Sequence, residues 1–226
     1  DRFNGNIIIS GAFGLFLKSV VIAAGGYDNT TVGEDMELAV KLHVYCRENG
    51  RRYRIRYAAD AVCWTQVPER LGDLCRQRRR WHIGLFQSMM KYRSILANPK
   101  YGAVSFVSYF YFLLYELFSP YIEIFGVLTT LLAFAVRLIN VPFMVLFFGI
   151  YVVYTAVLSL TAFFARIHTI DLKLYPSDLL KAVGLCAVEV SCLRFVMAWV
   201  RMTALVGYRS KKHTWGKIER QKISID

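Results

Sequence analysis

Residues 77–81 read Gln-Arg-Arg-Arg-Trp and lie inside residues 71–91, a segment that the sequence predicts to be one helix. On a helix, positions i, i+3 and i+4 share a face, so Gln77, Arg80 and Trp81 present an amide, a guanidinium and an indole together. A guanidinium grips diphosphate oxygens in a forked geometry, and an indole stacks on the flat face of a sugar ring. This face is therefore a candidate site for a phosphorylated sugar.

The arginines also fit a simpler interpretation, in which a basic cluster beside a membrane holds lipid head groups. For three arginines taken alone, this interpretation is the favoured one. Arg78 and Arg79 point away from the face shared by Gln77, Arg80 and Trp81, so we expect these two side chains to bind head groups.

Upstream, Gly33-Glu34-Asp35 opens a second predicted helix, residues 34–47, in which apolar residues recur at the helical period. Two acids in a first turn suit the helix dipole, so capping alone explains them. A carboxylate in this place can also take the proton of an acceptor hydroxyl if the geometry brings the two within hydrogen-bonding distance.

Three short segments predict strands around these two helices. Residues 6–10 form an isoleucine-rich run that is typical of a buried strand, and residues 61–65 form a second short extended piece. Residues 52–57 alternate strictly between tyrosine or isoleucine and arginine, which predicts a half-buried strand with a basic outer face. Strands alternating with helices favour an α/β sheet domain, of which we expect only the last portion in this chain.

Long apolar runs dominate the chain from residue 101 onward. A membrane-spanning helix needs about 20 apolar residues, whereas a core helix of a soluble protein rarely exceeds about 14. Residues 104–136 are longer than one span, residues 143–164 form a span without a charge, and residues 179–206 form a third stretch with four charges. These runs predict transmembrane helices, about three and possibly four segments.

Two topologies remain open for these helices. Three spans would put the N-terminal part and the basic tail on opposite sides of the membrane, whereas the positive-inside rule prefers both in the cytosol. Either the first run breaks at Pro120 into two passes, or the charged third run lies partly in the interface.

The composition combines 56% hydrophobic residues with a formal net charge of +12. With spanning segments beside the charges, an anionic membrane surface is favoured over nucleic acid, for which no binding motif is visible. Phosphates of an activated donor are another anionic partner. The five cysteines are odd in number and form no Cys-x-x-Cys pair, and the four histidines are scattered, so neither a disulfide framework nor a zinc site is predicted.

The order of these features is more specific than any one of them. A Ser-Gly turn, Gly-Gly-Tyr-Asp, an acidic pair opening a helix, a basic strand, Val-Pro, Gln-Arg-Arg-Arg-Trp and apolar helices follow one another. This order resembles the processive-type family 2 glycosyltransferases, which include cellulose, hyaluronan and poly-N-acetylglucosamine synthases. The resemblance is close through residues 5–90 and looser beyond them.

The resemblance implies a GT-A, Rossmann-like glycosyltransferase domain followed by an α-helical transmembrane region. In the family's Thr-Glu-Asp motif the aspartate is the catalytic base, which carries over to Asp35 with Glu34 beside it; Gly33 stands where many members have Thr. The residues carried over to the donor diphosphate and the acceptor are Ser10, Gly11, Gln77, Arg80 and Trp81.

The resemblance also implies a nucleotide-diphosphate sugar donor, Mg²⁺ or Mn²⁺, and a polysaccharide or lipid acceptor at the inner membrane. The family holds its metal with Asp-x-Asp in the donor-binding half, and no Asp-x-Asp occurs in residues 1–100. We therefore expect that half to precede Asp1, no metal ligands in this chain, and no sugar transfer by residues 1–226 alone.

The expected organisation has three parts. Residues 1–100 form the acceptor-side part of a cytosolic GT-A domain with an interfacial helix, residues 101–208 form the membrane region, and residues 209–226 form a basic cytosolic tail. Two rival functions use the same sequence: a single-transfer glycolipid synthase, and a non-catalytic transport or assembly partner. In the second, the intramembrane acids would mark a pathway: Glu116, Glu123 and Glu189.

Overall fold

The computed structural model describes residues 4–58, 61–170 and 175–208 and divides the chain into two compact units. The first unit comprises Asp1–Tyr57, Cys63–Phe118 and Val200–Asp226, and the second Ala58–Val62 and Ser119–Trp199. The predicted basic tail, residues 209–226, lies outside the described residues.

Among the described residues, the first unit contains three complete α-helices and the end of a fourth, residues 200–202. The complete helices are α1 (Lys18–Ala23), α2 (Glu34–Glu48) and α3 (Leu71–Lys91). Two 3-10 turns, two π-helical segments and a further 3-10 turn follow, at Arg93–Ile95, Pro99–Tyr101, Val104–Tyr109, Phe112–Leu117 and Thr203–Leu205. The predicted helices over residues 34–47 and 71–91 are confirmed, whereas α1 carries no periodic apolar pattern and was not predicted.

The core of the first unit lies between α2, α3 and the π-helical segments. Val40 on α2 and Leu85 and Met89 on α3 pack in one cluster with Ile7 and Tyr109, all nearly inaccessible to solvent. Tyr109 donates a hydrogen bond from its hydroxyl to the Met89 carbonyl, which satisfies the polar end of a buried aromatic ring. This packing fixes α3 against α2.

A buried carboxylate joins the same two helices. Glu37 on α2 is fully buried, and its Oε1 accepts hydrogen bonds from Lys91 Nζ at 2.6 Å and from the Tyr92 hydroxyl. Its Oε2 lies 3.2 Å from Lys41 Nζ, which also donates to the Gly26 carbonyl at 2.7 Å. Because a buried charge is costly unless it is paired, these contacts hold the end of α3 and the Gly25-Gly26 turn against α2.

The predicted strands are not formed within the described residues, where no β-ladder is present. The alternation is nonetheless visible in the exposure of the first residues, since Arg52 and Arg54 are exposed while Tyr53 and Ile55 are half-buried. It ends at Tyr57, which was predicted to face inward and is 67% exposed. The side chain of Asn4 takes the place of a strand neighbour: Nδ2 donates to the Tyr53 carbonyl at 3.1 Å and Oδ1 accepts from the Ile55 amide at 2.7 Å. A strand needs backbone partners along its whole length, whereas here one side chain supplies only two hydrogen bonds.

A buried histidine links the same two segments. His43 Nε2 donates to the Asn6 carbonyl at 3.0 Å, so the neutral ring accepts at Nδ1 from the Tyr53 hydroxyl, which lies 2.6 Å away. Burial lowers the pKa of His43 to about 4. Burial, together with the charge of Arg201, lowers the pKa of the buried His82 to about 4 as well. Both rings are therefore neutral in the folded protein at pH 7.

Acidification is expected to destabilise the first unit through these two rings. The folded-state pKa of each lies below its unfolded value of about 6.5, so stability is full above that pH and is lost as the pH falls toward 4. Each ring costs on the order of 2 kcal/mol of unfolding free energy at pH 5. Thermal unfolding in detergent at pH 7.5 and pH 5 measures this loss. His82→Leu should remove about half of the pH dependence, and an unchanged melting temperature at pH 5 would contradict the account.

The second unit is helical and strongly apolar. It contains α4 (Ser119–Ala135), α5 (Val141–Ile170), α6 (Pro176–Val188), a π-helical segment (Glu189–Leu193) and the first part of α7 (Arg194–Met202). Within α5, Val141–Ala165 is long and apolar enough to cross a membrane, with a mean hydropathy of 2.2. Val104–Leu117 and Ser119–Ala135 pass the same test only when taken together, and the helix is broken between them at Phe118. The described residues thus contain one such helix, or two if the broken pair is one span.

Two of the predicted intramembrane acids have arginine partners. The carboxylate of Glu123 accepts two hydrogen bonds from Arg194, from Nη2 at 3.0 Å and from Nε at 3.3 Å. The guanidinium of Arg194 also lies 5.7 Å from the centre of the Tyr151 ring. Oε2 of Glu116 accepts a hydrogen bond from Arg201 Nη2 at 3.1 Å. In each pair the opposite charges lie within ion-pair distance, which lowers the cost of placing them among apolar residues.

Candidate active site

The predicted acidic pair and the predicted Ser-Gly turn meet in one cleft of the first unit. The cleft has a volume of about 260 Å³ and opens beside the start of α2. Its lining residues are Ile9, Ser10, Gly11, Gly14, Phe16, Tyr27, Glu34 and Asp35. Four of the residues singled out in the sequence, Ser10, Gly11, Glu34 and Asp35, therefore share one concave surface.

The two oxygens of Asp35 have different surroundings. Oδ1 accepts a hydrogen bond from the Met36 backbone amide at 2.8 Å. Oδ2 faces Gly11, so closely that a Cβ atom on Gly11 would lie 2.6 Å from it. The start of α2 thus fixes Oδ1, while Oδ2 points into the cleft. Oδ2 can lie this close to residue 11 because glycine has no side chain.

The start of α2 is held against α3 by a contact between two glycines. A Cβ atom on Gly84 would lie 2.9 Å from the Cα atom of Gly33, which is the N-cap of α2. Next to it, the Val32 amide donates to Gln87 Oε1 on α3 at 2.9 Å, and both residues are buried. The position of Asp35 therefore depends on α3.

The face of α3 that carries Gln77, Arg80 and Trp81 also carries Gly84. Arg80 precedes Gly84 by four residues, which places it one turn, about 6 Å, further toward the helix start. None of the three lines the cleft of Asp35. Trp81 is 44% exposed, and the guanidinium of Arg78 lies 4.9 Å from the centre of its ring. The expectation that Arg78 points elsewhere is wrong, because residues i and i+3 of a helix are neighbours and an arginine stacks readily on an indole.

Gly84→Ala is expected to destabilise the first unit by about 1–3 kcal/mol, since the added methyl group meets backbone that has no side-chain freedom to move aside. Gly72→Ala is the matched control on the same helix, because a Cβ atom there has nothing within 4 Å. Thermal unfolding of both variants in detergent measures the difference. Equal melting temperatures would show that α2 and α3 do not approach as closely as described.

The sequence did not single out two aromatic residues of the cleft. Tyr27 is 52% exposed and Phe16 is half-buried, and both line the cleft beside Asp35. Tyr27 follows the Gly25-Gly26 turn, in which both glycines have positive φ angles. The Gly-Gly-Tyr-Asp motif was the available signal, but it did not distinguish a turn residue from a cleft residue.

The loop that carries Tyr27 is fixed by the residue after it. Asp28 Oδ1 accepts from the Thr30 amide at 2.8 Å and the Thr30 hydroxyl at 2.6 Å, while its Oδ2 pairs with Lys91 at the end of α3. The hydrogen bonds from Lys91 and Thr30 hold the pKa of Asp28 well below its usual range. The cleft is therefore bounded by a loop that α3 holds in place.

The described residues do not supply a metal site. No group of three His, Cys, Asp or Glu side chains among them is arranged to hold a metal ion. The cleft has only two such side chains, Glu34 and Asp35, among its described lining residues.

Comparison with known proteins gives a family and partial relatives. The sequence profile of the family described as "Glycosyl transferase family group 2" matches residues 2–207. The poly-beta-1,6-N-acetyl-D-glucosamine synthase of Staphylococcus aureus (strain COL) is 42% identical over 83 residues, which are 37% of this chain and 19% of that protein. The synthase of the same name from Staphylococcus epidermidis (strain ATCC 35984) is 37% identical over 83 residues, with the same two shares. The match thus spans about a fifth of the length of these curated relatives, and no solved structure matches the chain.

Proposed function

The chain belongs to family group 2 of the glycosyl transferases, and from this premise we propose that the protein is a membrane-bound inverting glycosyltransferase. It transfers a sugar from a nucleotide-diphosphate sugar to a growing polysaccharide or a lipid-linked acceptor. The observation that carries the proposal is the cleft in which Asp35 Oδ2 faces Gly11, beside Ser10 and Glu34.

In the proposed reaction Asp35 is the general base. The acceptor hydroxyl oxygen forms a bond to the anomeric carbon while the bond from that carbon to the diphosphate breaks, and the hydroxyl proton passes to Asp35 Oδ2. A single displacement of this kind inverts the configuration at the anomeric carbon. The hydrogen bond from the Met36 amide to Oδ1 supports this role, since it fixes the carboxylate without using the oxygen that faces the cleft. Glu34 lines the same cleft and is its second carboxylate.

The face of α3 is proposed to bind the reacting sugars next to Asp35. Arg80 holds the departing diphosphate in its forked geometry, with Gln77 one turn away on the same face. Trp81 offers one indole face to the acceptor while Arg78 covers the other. Support comes from the Gly33–Gly84 contact, which brings this face of α3 to the start of α2.

Family members are expected to have a GT-A fold and commonly use a divalent metal ion. The described residues hold no ligand group for one, and the donor contacts beyond Arg80 are proposed to come from other parts of the protein. The described part of the chain is thus proposed to supply the acceptor side of the reaction.

The names of the relatives favour a polymer of N-acetylglucosamine as the product. Membranes containing the whole protein, with the parts that supply the remaining donor contacts, are therefore to be incubated with a panel of radiolabelled nucleotide-diphosphate sugars that includes N-acetylglucosamine as the sugar, and the products separated by size. Label in long chains supports a processive synthase, and label in a short glycolipid supports single transfer. Absence of transfer from every donor, with the protein folded in the membrane, would refute the proposed activity.

The membrane location is proposed from α5 and the apolar helices around it. Val141–Ala165 is long enough to anchor the protein in the inner membrane. The basic residues of the first unit favour the cytosolic side for the catalytic cleft, in keeping with the positive-inside rule.

A further inference from the structure

The first unit has a second cavity, at the end of α2 opposite to Asp35. It is shallow and widely open to solvent, has a volume of about 580 Å³, and is lined by Asn4, Arg47, Arg51, Arg52, Tyr53 and Arg54. Since α2 has 15 residues, roughly 20 Å of helix separates this arginine cavity from the cleft of Asp35. The arginine cavity is thus a separate site, and neither the proposed reaction nor the face of α3 uses its residues.

Two of the four guanidinium groups are held in place by aromatic side chains. Arg47 Nε donates to the Tyr53 hydroxyl at 3.1 Å, and Tyr53 is itself fixed by His43. The guanidinium of Arg51 lies 5.3 Å from the centre of the Tyr45 ring. Groups positioned in advance lose less conformational entropy when a ligand binds, so these contacts favour a binding site over a flexible charged surface.

The positive charge of the cavity is not balanced by acids in the part of the chain that the structure describes. There, Arg51, Arg52 and Arg54 form no ion pair with a carboxylate. The neighbouring Glu48 is engaged elsewhere, as its Oε1 accepts from the Tyr101 hydroxyl at 3.0 Å. The dipole at the end of α2 favours the cations nearest to it, but Arg52 and Arg54 lie beyond the last turn, where that effect has faded.

We propose that the arginine cavity binds a phosphate-bearing anion. A guanidinium presents paired N–H donors that match the oxygens of a phosphate group, and four of them around one cavity repel each other until an anion is bound. The alternation of residues 52–57 places Arg52 and Arg54 on the same side of the segment, so both reach the same ligand. The phosphate comes either from an anionic lipid head group or from a soluble phosphate compound.

Hydrogen exchange of the whole protein in lipid nanodiscs tests the proposal, with the peptide that covers residues 51–57 as the readout. Three samples are compared: neutral lipid alone, neutral lipid with part replaced by phosphatidylglycerol, and neutral lipid with inorganic phosphate at an ionic strength matched by chloride. An anion present at ten times its dissociation constant is expected to slow exchange of this peptide roughly tenfold. Because the readout is local, a diphosphate site elsewhere in the protein does not contribute to it.

Arg52→Gln/Arg54→Gln is expected to abolish the slowing. Arg56→Gln is the matched control, since Arg56 is exposed on the same side of the same segment but does not line the cavity. Slowing by phosphatidylglycerol alone identifies a lipid head group, and slowing by inorganic phosphate identifies a soluble ligand. No slowing in either sample, or equal loss in the double variant and in the Arg56→Gln control, would overturn the proposal.

Discussion

Asp35→Asn lowers the turnover of sugar transfer by about 10²–10⁴-fold, while the nucleotide-diphosphate sugar still binds. The amide keeps the size of the carboxylate and its hydrogen bond from the Met36 backbone, but it cannot take a proton from the acceptor hydroxyl. Steady-state turnover in membranes, together with donor binding by the purified protein, separates the chemical step from binding. Near-normal turnover of the variant would refute the role of Asp35.

Glu34→Gln is the comparison that assigns the proton transfer to one of the two neighbouring acids. Both residues line the cleft, but the atoms nearest to a Cβ atom placed on Gly11 all belong to Asp35. We therefore expect a loss much smaller than that of Asp35→Asn. If Glu34→Gln were the more damaging change, the base would be Glu34, and the cleft would keep its function with the roles exchanged.

The helical elements that position the site could be predicted from local sequence. The boundaries of α3 and the position of α5 follow from their periodicity and apolar length, which depend on residues near in the chain. The helix α5 extends beyond the predicted 143–164 at both ends. The strands could not be predicted in the same way, because a strand exists only through distant backbone partners. The alternating pattern correctly predicted which side chains of residues 52–56 are exposed, but it was wrong at Tyr57, which is 67% exposed. The neighbour of this segment turned out to be the side chain of Asn4.

The contacts that form the cleft could not be predicted from the sequence either. The acidic pair and the Ser-Gly turn were each visible as motifs, but their meeting at Gly11 and Asp35 is a tertiary contact between residues 24 positions apart. The closeness of Gly33 and Gly84 is of the same kind: a glycine in a helix usually indicates a weak helical position, and only packing shows that its missing side chain is required. How residues 1–100 and 101–208 divide into domains stays a prediction.

The close approach at Gly11 leads to the second large effect. Gly11→Ala should lower turnover by roughly 10²-fold, because the new methyl group comes within 2.6 Å of Asp35 Oδ2 and turns the carboxylate away from the acceptor. Gly11 does not have a positive φ angle, so alanine adds no backbone strain, and the melting temperature should stay within about 1 °C of the unchanged protein. Gly72→Ala, which adds a methyl group in open space, is the control for both measurements.

A double-mutant cycle distinguishes this steric mechanism from a general disturbance of the cleft. If Gly11→Ala acts only by displacing the Asp35 carboxylate, adding it to Asp35→Asn should cause little further loss, since the function of that carboxylate is already gone. Independent effects would instead multiply, giving a double variant roughly 10²-fold slower than Asp35→Asn alone. That second result would mean that Gly11 contributes to acceptor binding through its own backbone, and that the approach of Asp35 Oδ2 to residue 11 is not what makes glycine necessary there.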